Sequence, residues 1–400
     1  MMINNNYNVN NIKRGNPYSP QHPASPEYFA NRSDELNYFR EATTNCARLR
    51  PPAPMNFIVL GDWGIGKTSL LYKMEQIVLK ELAKKFGAFC FHFSLDPICC
   101  KDWNGFCLVF LNQLKKNYAV TTGLSQRLRS ELSKWKISFT LPPITVKRER
   151  PPETSFFIDE LEGLWKKHLQ PSEIDIAFLF LDDIHYFLQV GQSDAYFALR
   201  NIFQELPRRN CNFSLVLSGP KLLFTQIVDL AEPFVRFFHP FYLEPFNLEG
   251  TREAILKRIA VNRLELNVSE AVISDIHEKT RGHPYFVMFT MYELLNAIKG
   301  KKEINKDGFD KNWASILSML EKTIFSGHFN GASTKEKDVI LRISKLDEEI
   351  VSPSMIKGVK GAPVLFSRLE RKGLIIKRER GKYEVFHPLF RDYLRKMSNS

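Results

Sequence analysis

Residues 55–73, MNFIVLGDWGIGKTSLLYK, restrict the possible folds of this chain more than any other stretch. The apolar run Phe57–Leu60 enters a glycine-rich turn, and Leu70, Leu71 and Met74 follow at helical spacing, so the order is strand, loop, helix. Within the turn, Gly61, Gly66, Lys67 and Thr68 satisfy G-x-x-x-x-G-K-[ST], with a further glycine at Gly64. Glycines permit the backbone angles at which successive N–H groups converge, and they let a phosphate approach the main chain. The positive end of the following helix adds to that field. Lys67 is expected to reach the β and γ phosphates, and the Thr68 hydroxyl to take one position on Mg²⁺. Gly61, Gly64, Ile65, Gly66, Lys67, Thr68 and Ser69 form the expected nucleotide-contacting set. A strand that feeds a phosphate loop and a helix implies an α/β fold on a parallel sheet.

The 400-residue chain has enough apolar content, 44%, for two or three domains with their own cores. No apolar run reaches the roughly eighteen residues that a membrane span needs, and no charged-then-apolar leader is evident. Cys46, Cys90, Cys99, Cys100, Cys107 and Cys211 contain no C-x-x-C pair, which argues against a zinc site or a disulfide framework and for a reducing cytoplasm. The net charge of +12 points to a polyanionic partner only if it is concentrated.

In chain order, residues 1–27, rich in Asn, Pro and Ser, read as a disordered tail. An amphipathic helix then opens near Ser33, a residue suited to capping it. Residues 88–93 read as a second strand and 106–114 as a helix. An insertion at about 122–155 contains a short hairpin around Pro142-Pro143 and the charged run from Arg148 to Pro152. Its plain reading is a solvated surface hairpin.

The second chemical element is AFLFLDDIH, residues 177–185. A wholly apolar run suits a strand buried on both faces of a parallel sheet, and carboxylates at its C-terminal end lie where open α/β sheets bind ligands. Asp182 is expected to hold Mg²⁺ and Asp183 to orient the attacking water, although Asp183 as a cap of the next segment is the competing reading. His185 reads as local packing. A fourth strand, 213–217, ends at Ser218, level with the carboxylates and able to sense a γ-phosphate. A fifth, 237–243, follows Arg236, placed to act on the nucleotide of a neighbouring subunit or to remain a surface arginine.

Taken in order, Phe29-Ala30-Asn31-Arg32, the Gly61 to Thr68 loop, Asp182-Asp183, Ser218, Arg236 and Gly282-His283-Pro284-Tyr285-Phe286 resemble AAA+ and STAND-type P-loop ATPases, with the greatest likeness to the archaeal-ATPase and origin-recognition-like branch. The likeness extends from about Tyr28 to the C-terminus. It implies a core over 28–247, a helical lid and connector over 248–330, Phe29 and Arg32 near the base or ribose, and Pro284 packed on the nucleotide. Gly-His-Pro stands where AAA+ machines usually carry a sensor arginine, and the carboxylate pair is Asp-Asp. Both departures favour a slow switch over a fast motor. The chain lacks an Asn-Lys-x-Asp guanine signature, so ATP is favoured over GTP.

Residues 331–400 read as a separate small domain: helices at 334–344, 353–357 and 362–372, then strands at 374–377 and 382–386. Three helices followed by a hairpin make a winged helix. From 353 to 400, twelve lysines and arginines face four acidic residues, so this segment carries +8 of the net charge. That concentration is the footprint of nucleic-acid binding, with Arg368, Arg371 and Lys372 on the helix and Lys377, Arg378, Arg380 and Lys382 on the wing as the expected contacts to double-stranded DNA. Winged helices also serve as protein contacts. The sequence therefore describes an ATP-dependent switch, a nucleotide-dependent homo-oligomer that engages DNA. A STAND-type signalling ATPase that assembles with protein partners is the alternative, and a regulator with residual ATPase chemistry is a third.

Overall fold

The computed structural model describes residues 15–117, 154–189, 193–222, 234–298 and 302–399. The hairpin and charged run expected at 122–155 fall almost wholly outside these residues. The chain divides into two compact units, one of residues 32–62 and 66–244, the other of residues up to 31, 63–65 and 245 onward.

The first unit is built on a five-stranded sheet: β1 (Phe57–Leu60), β2 (Ala88–Ser94), β3 (Ile176–Asp182), β4 (Phe213–Gly219) and β5 (His239–Tyr242). The strands run parallel in the order β2-β3-β4-β1-β5, so the strand of the phosphate loop and the strand of the carboxylates are separated by β4. Every residue of β3 and β4 is buried, as their apolar runs require of strands covered on both faces. Alternation along β3 divides its side chains between two layers. Ala177, Leu179 and Leu181 join a core with Phe89, Phe110, Phe157 and Leu199, whereas Phe178 meets Phe39 at 5.7 Å between rings.

Helices α1 (Ser33–Cys46), α2 (Lys67–Lys80), α3 (Trp103–Asn117), α4 (Thr154–Leu164) and α5 (Ser193–Arg208) belong to this unit. Arg32, in a left-handed conformation, occupies the capping position of α1, one residue earlier than the Ser33 expected from composition. In α2 the spacing of Leu70, Leu71, Met74, Ile77 and Val78 buries one face. The fifth strand is shorter than expected, because residues 236–238 form the turn that leads into it.

The second unit has helices α6 (Leu248–Val261), α7 (Glu270–Thr280), α8 (Pro284–Ile298), α9 (Lys306–Leu320), α10 (Thr334–Lys345), α11 (Ala362–Arg371) and α12 (Pro388–Asn399), and an antiparallel hairpin of β6 (Ile375–Glu379) and β7 (Lys382–Val385). One apolar cluster runs through it from Ala254 and Phe286 to Phe325, Val339, Phe366 and Phe390. Two expectations need correction, and one helix was not expected. The helix expected at 353–357 is a single 3₁₀ turn, Pro353–Met355, since Pro353 fixes its start and Gly358 follows with positive φ. Helix α12, hidden from pattern reading by its many charges, carries Phe390 and Leu394 into the core. The disordered tail does not extend to residue 27: Tyr18 is fully buried, its hydroxyl donating to the Ile255 carbonyl at 2.8 Å, and Asn16 donates to the Tyr292 carbonyl.

Candidate nucleotide-binding site

The C-terminal ends of β1, β3 and β4 bring the phosphate loop, Asp182-Asp183 and Ser218 together. Gly64 and Gly66 both have positive φ, 72° and 98°, a region that side chains rarely adopt and that turns the loop into the first residue of α2. The Gly61 N–H donates to the Gly219 carbonyl and ties the loop entrance to β4. Lys67 is half-buried, and its ammonium donates to the Gly61 and Asp62 carbonyls at 3.0 and 2.9 Å. Burial pushes its pKa down, against the pull of Asp183, Asp182 and Asp62.

Asp182 is buried and fully engaged. One carboxylate oxygen accepts from the Thr68 hydroxyl at 2.6 Å; the other accepts from the Ser218 hydroxyl and from the Asp183 N–H at 3.1 Å. Parallel register explains the Ser218 contact, because β3 and β4 are neighbours with Leu181 opposite Leu217. The site therefore holds a hydroxyl and a carboxylate oxygen side by side at the start of α2, the hard donor set that Mg²⁺ takes. Thr68 and Asp182 are the residues that fit such an ion.

Asp183 has φ 61°, an uncommon angle for a non-glycine residue. Burial, together with repulsion from Asp182, pushes its pKa up, and Lys67 offsets part of the rise. His185 places Nδ1 3.6 Å from the Asp183 carboxylate, while burial and then Lys67 hold its pKa down. The His185 ring also packs on Tyr186 at 4.3 Å, as its reading as local packing expects.

Arg32 is buried, and its guanidinium donates to the Glu244 carbonyl, whose side chain pairs with Lys221. Burial lowers the Arg32 pKa, with Glu35 and Glu244 opposing. Arg236 is exposed, in the turn before β5. Parallel pairing sets His239 opposite Phe57, about 13 Å along the strand direction from the level of Gly61, and Arg236 precedes it at that far end of the sheet. Within one copy it is not part of the cluster formed by Lys67, Asp182 and Asp183.

In the second unit, Phe29 and Pro284 are both buried, and Pro284 is the first residue of α8. Gly282 has φ 67°, and a Cβ there would lie 2.0 Å from the Phe246 carbonyl oxygen, so this position accepts only glycine. The loop tip, Trp63–Ile65, groups with this unit. His283 Nε2 lies 3.1 Å from the Trp63 carbonyl, the Trp63 ring packs on Tyr285 at 4.5 Å, and it meets His328 edge-on at 5.2 Å. A Cβ on Gly64 would come within 2.8 Å of the Tyr285 Cβ, which gives this additional glycine a packing role.

The basic residues of α11 and the hairpin divide into two groups. Lys372, itself exposed, donates to the buried Glu336 carboxylate at 2.7 Å and to the Gly331 carbonyl at 2.8 Å. Arg378 pairs with Glu384, and Lys382 with Glu379 at 2.8 Å. All seven basic residues, Arg368, Arg371, Lys372, Lys377, Arg378, Arg380 and Lys382, are exposed.

No protein-family model matches the sequence, and no curated protein matches it. Solved structures do match. The chain is similar to a Walker-type ATPase of Pyrococcus abyssi, with 17% identity, a TM-score of 0.58, and 95% of this chain and 99% of that chain covered. It is similar to the ORC2 protein of Aeropyrum pernix, solved as ADPNP-ADP complexes, with 13% identity, a TM-score of 0.61, and 97% and 98% covered. It is also similar to Cdc6p of Pyrobaculum aerophilum, with 16% identity, a TM-score of 0.50, and 96% and 97% covered. The fold is that of the archaeal Walker-type and origin-recognition P-loop ATPases.

Proposed function

We propose that the protein is a slow, switch-like ATPase that engages double-stranded DNA through its C-terminal helix and hairpin. The observation that carries the nucleotide reading is the shared carboxylate of Asp182, bonded at once to Thr68 of the phosphate loop and Ser218 of β4. Lys67 supplies charge to the β and γ phosphates when it leaves its two carbonyls, and the loop amides cradle them. Thr68 and Asp182 would hold Mg²⁺, which would supply positive charge to offset that of the phosphates. Asp183 orients the attacking water and accepts its proton, Ser218 reads the γ-phosphate through Asp182, and Arg236 serves a neighbouring copy. Phe29, Arg32 and Pro284 are each candidates for the base and ribose on the family resemblance alone. The shorter side chain of Asp183, where a glutamate reaches further, favours slow turnover. The similar ORC2 structure carries ADPNP and ADP, which supports the nucleotide assignment.

The DNA reading rests on Arg368, Arg371, Lys377 and Arg380, exposed on one helix and one hairpin of a winged-helix arrangement. A second reading, a STAND-type switch whose winged helix contacts protein, draws on the internal pairing of Lys372, Arg378 and Lys382 with Glu336, Glu384 and Glu379, which leaves fewer charges for phosphates. Fluorescence anisotropy on a labelled duplex, with ATP and with ADP, separates the two. Salt-dependent affinity that changes with nucleotide supports the switch on DNA, and no affinity supports the protein-contact reading.

A further inference from the structure

Helix α11 is amphipathic in a way that leaves a defined outer line. Ala362, Leu365, Phe366 and Leu369 are buried, at the spacing that points one face of a helix inward. Val364, Arg368 and Arg371, at i, i+4 and i+7, are exposed on the opposite side. Val364 is 56% exposed, more than any other large apolar side chain described in this unit. It sits in the first turn of the helix, the end at which recognition helices meet base edges, and the residue before it is Pro363, which offers no hydrogen-bonding side chain.

This arrangement limits what the first turn can read. A valine cannot donate or accept, so it distinguishes bases only by contact with an apolar group in the major groove, and the thymine C5 methyl is the one such group there. Arg368 follows one turn later, with no carboxylate in ion-pair range among the described residues, and a free guanidinium pairs best with the O6 and N7 acceptors of guanine. Arg371 lies at the end of the helix, where it is suited to phosphate. On the reading that α11 enters DNA, we propose that Val364 is a specificity-determining residue that contacts a thymine methyl group, and that the preferred duplex carries a thymine beside the guanine read by Arg368. The charge of Arg368, Arg371, Lys377 and Arg380 matches such a partner.

The test uses the full chain. A random 20-base-pair duplex library is enriched on the wild type, and the enriched duplex is remade with each thymine replaced in turn by uracil, which removes only the methyl group. One replacement should weaken wild-type binding about threefold to fivefold, the factor that loss of one buried methyl group implies. The same replacement should leave Val364→Ala unaffected, and both proteins should show one salt slope. Enrichment of no sequence while salt-dependent binding persists overturns the role of Val364 and leaves the DNA reading intact, as does an equal uracil penalty in Val364→Ala. Absence of binding to any duplex overturns both.

Discussion

Lys372 and the buried carboxylate of Glu336 lie 2.7 Å apart, so the lysine pairs with the residue that, with Ser333, caps the start of α10. Burial pushes the Glu336 pKa up, but the Lys372 ammonium and the Ser333 N–H outweigh it and hold the group below the usual glutamate range. The pair therefore contributes stability that is present above the unfolded-state pKa of about 4.3 and is lost as pH falls through the lower, folded value. Lys372→Ala should cost about 1–2 kcal/mol at neutral pH, discounted from the figure for a fully buried pair because the lysine is 40% exposed. Urea melts at pH 7 and pH 3 check this: the gap between the proteins should narrow in acid. DNA affinity should change little.

Asp183 offers a separation of binding from turnover. Asp183→Asn should keep ATP bound and slow hydrolysis by about 10²–10⁴-fold, since the phosphate loop is untouched and only the water-orienting group is lost. Single-turnover hydrolysis beside a binding titration measures both. In the wild type, the raised pKa of Asp183 should place the acid limb of the rate profile above the ordinary carboxylate range.

The same substitution has a stability signature. A folded-state pKa above the unfolded value means that stability is fullest with Asp183 protonated and is lost as pH rises through the folded value. Asp183→Asn removes that loss and retains a residue type that accepts φ 61°, so its Tm at pH 7 should rise. Asp183→Ala lacks that tolerance and should fall by about 1–2 kcal/mol relative to Asn. Thermal melts of the two variants decide whether backbone strain and carboxylate repulsion are both present.

Much of this was legible in the sequence, and the failures have physical causes. The phosphate loop, the β3 carboxylates and Ser218 were readable because glycine spacing and apolar runs act locally, and strand register then brings their ends together. Tyr18 and helix α12 were not, because each is ordered by distant partners, Ile255 for the first and the core around Phe325 for the second. The pairing of Lys372 was not legible, because a charge count does not reveal that Glu336, 36 residues earlier, lies beside it. Arg236 was found by its position before β5, yet only the parallel register shows that it lies at the far end of the sheet from Gly61.

That location leads to a test of assembly. On the proposal that Arg236 serves another copy's nucleotide, Arg236→Ala should reduce turnover and leave ATP affinity nearly unchanged. Mixing Arg236→Ala with Asp183→Asn should restore part of the activity through composite sites. Activity of the mixture no greater than the sum of its parts, with a monomeric wild type under ATP, counts against a shared site.

On the DNA side, Arg380→Ala should flatten the log–log salt dependence of binding by about one unit, as loss of one phosphate contact requires. Arg378→Ala should have a smaller effect, since its charge is already paired with Glu384. Anisotropy titrations across a salt series distinguish the two variants.

The central claim, that this chain binds ATP through the loop between β1 and α2, is tested most directly by isothermal titration of ATP into wild-type protein and Lys67→Ala, with circular dichroism as the folding control. The account predicts a folded mutant whose ATP affinity is weaker by about a hundredfold or more, because a charge-assisted contact to phosphate is lost while the core is unaffected. Wild-type affinity in the folded mutant, or no ATP binding by the wild type, would contradict it.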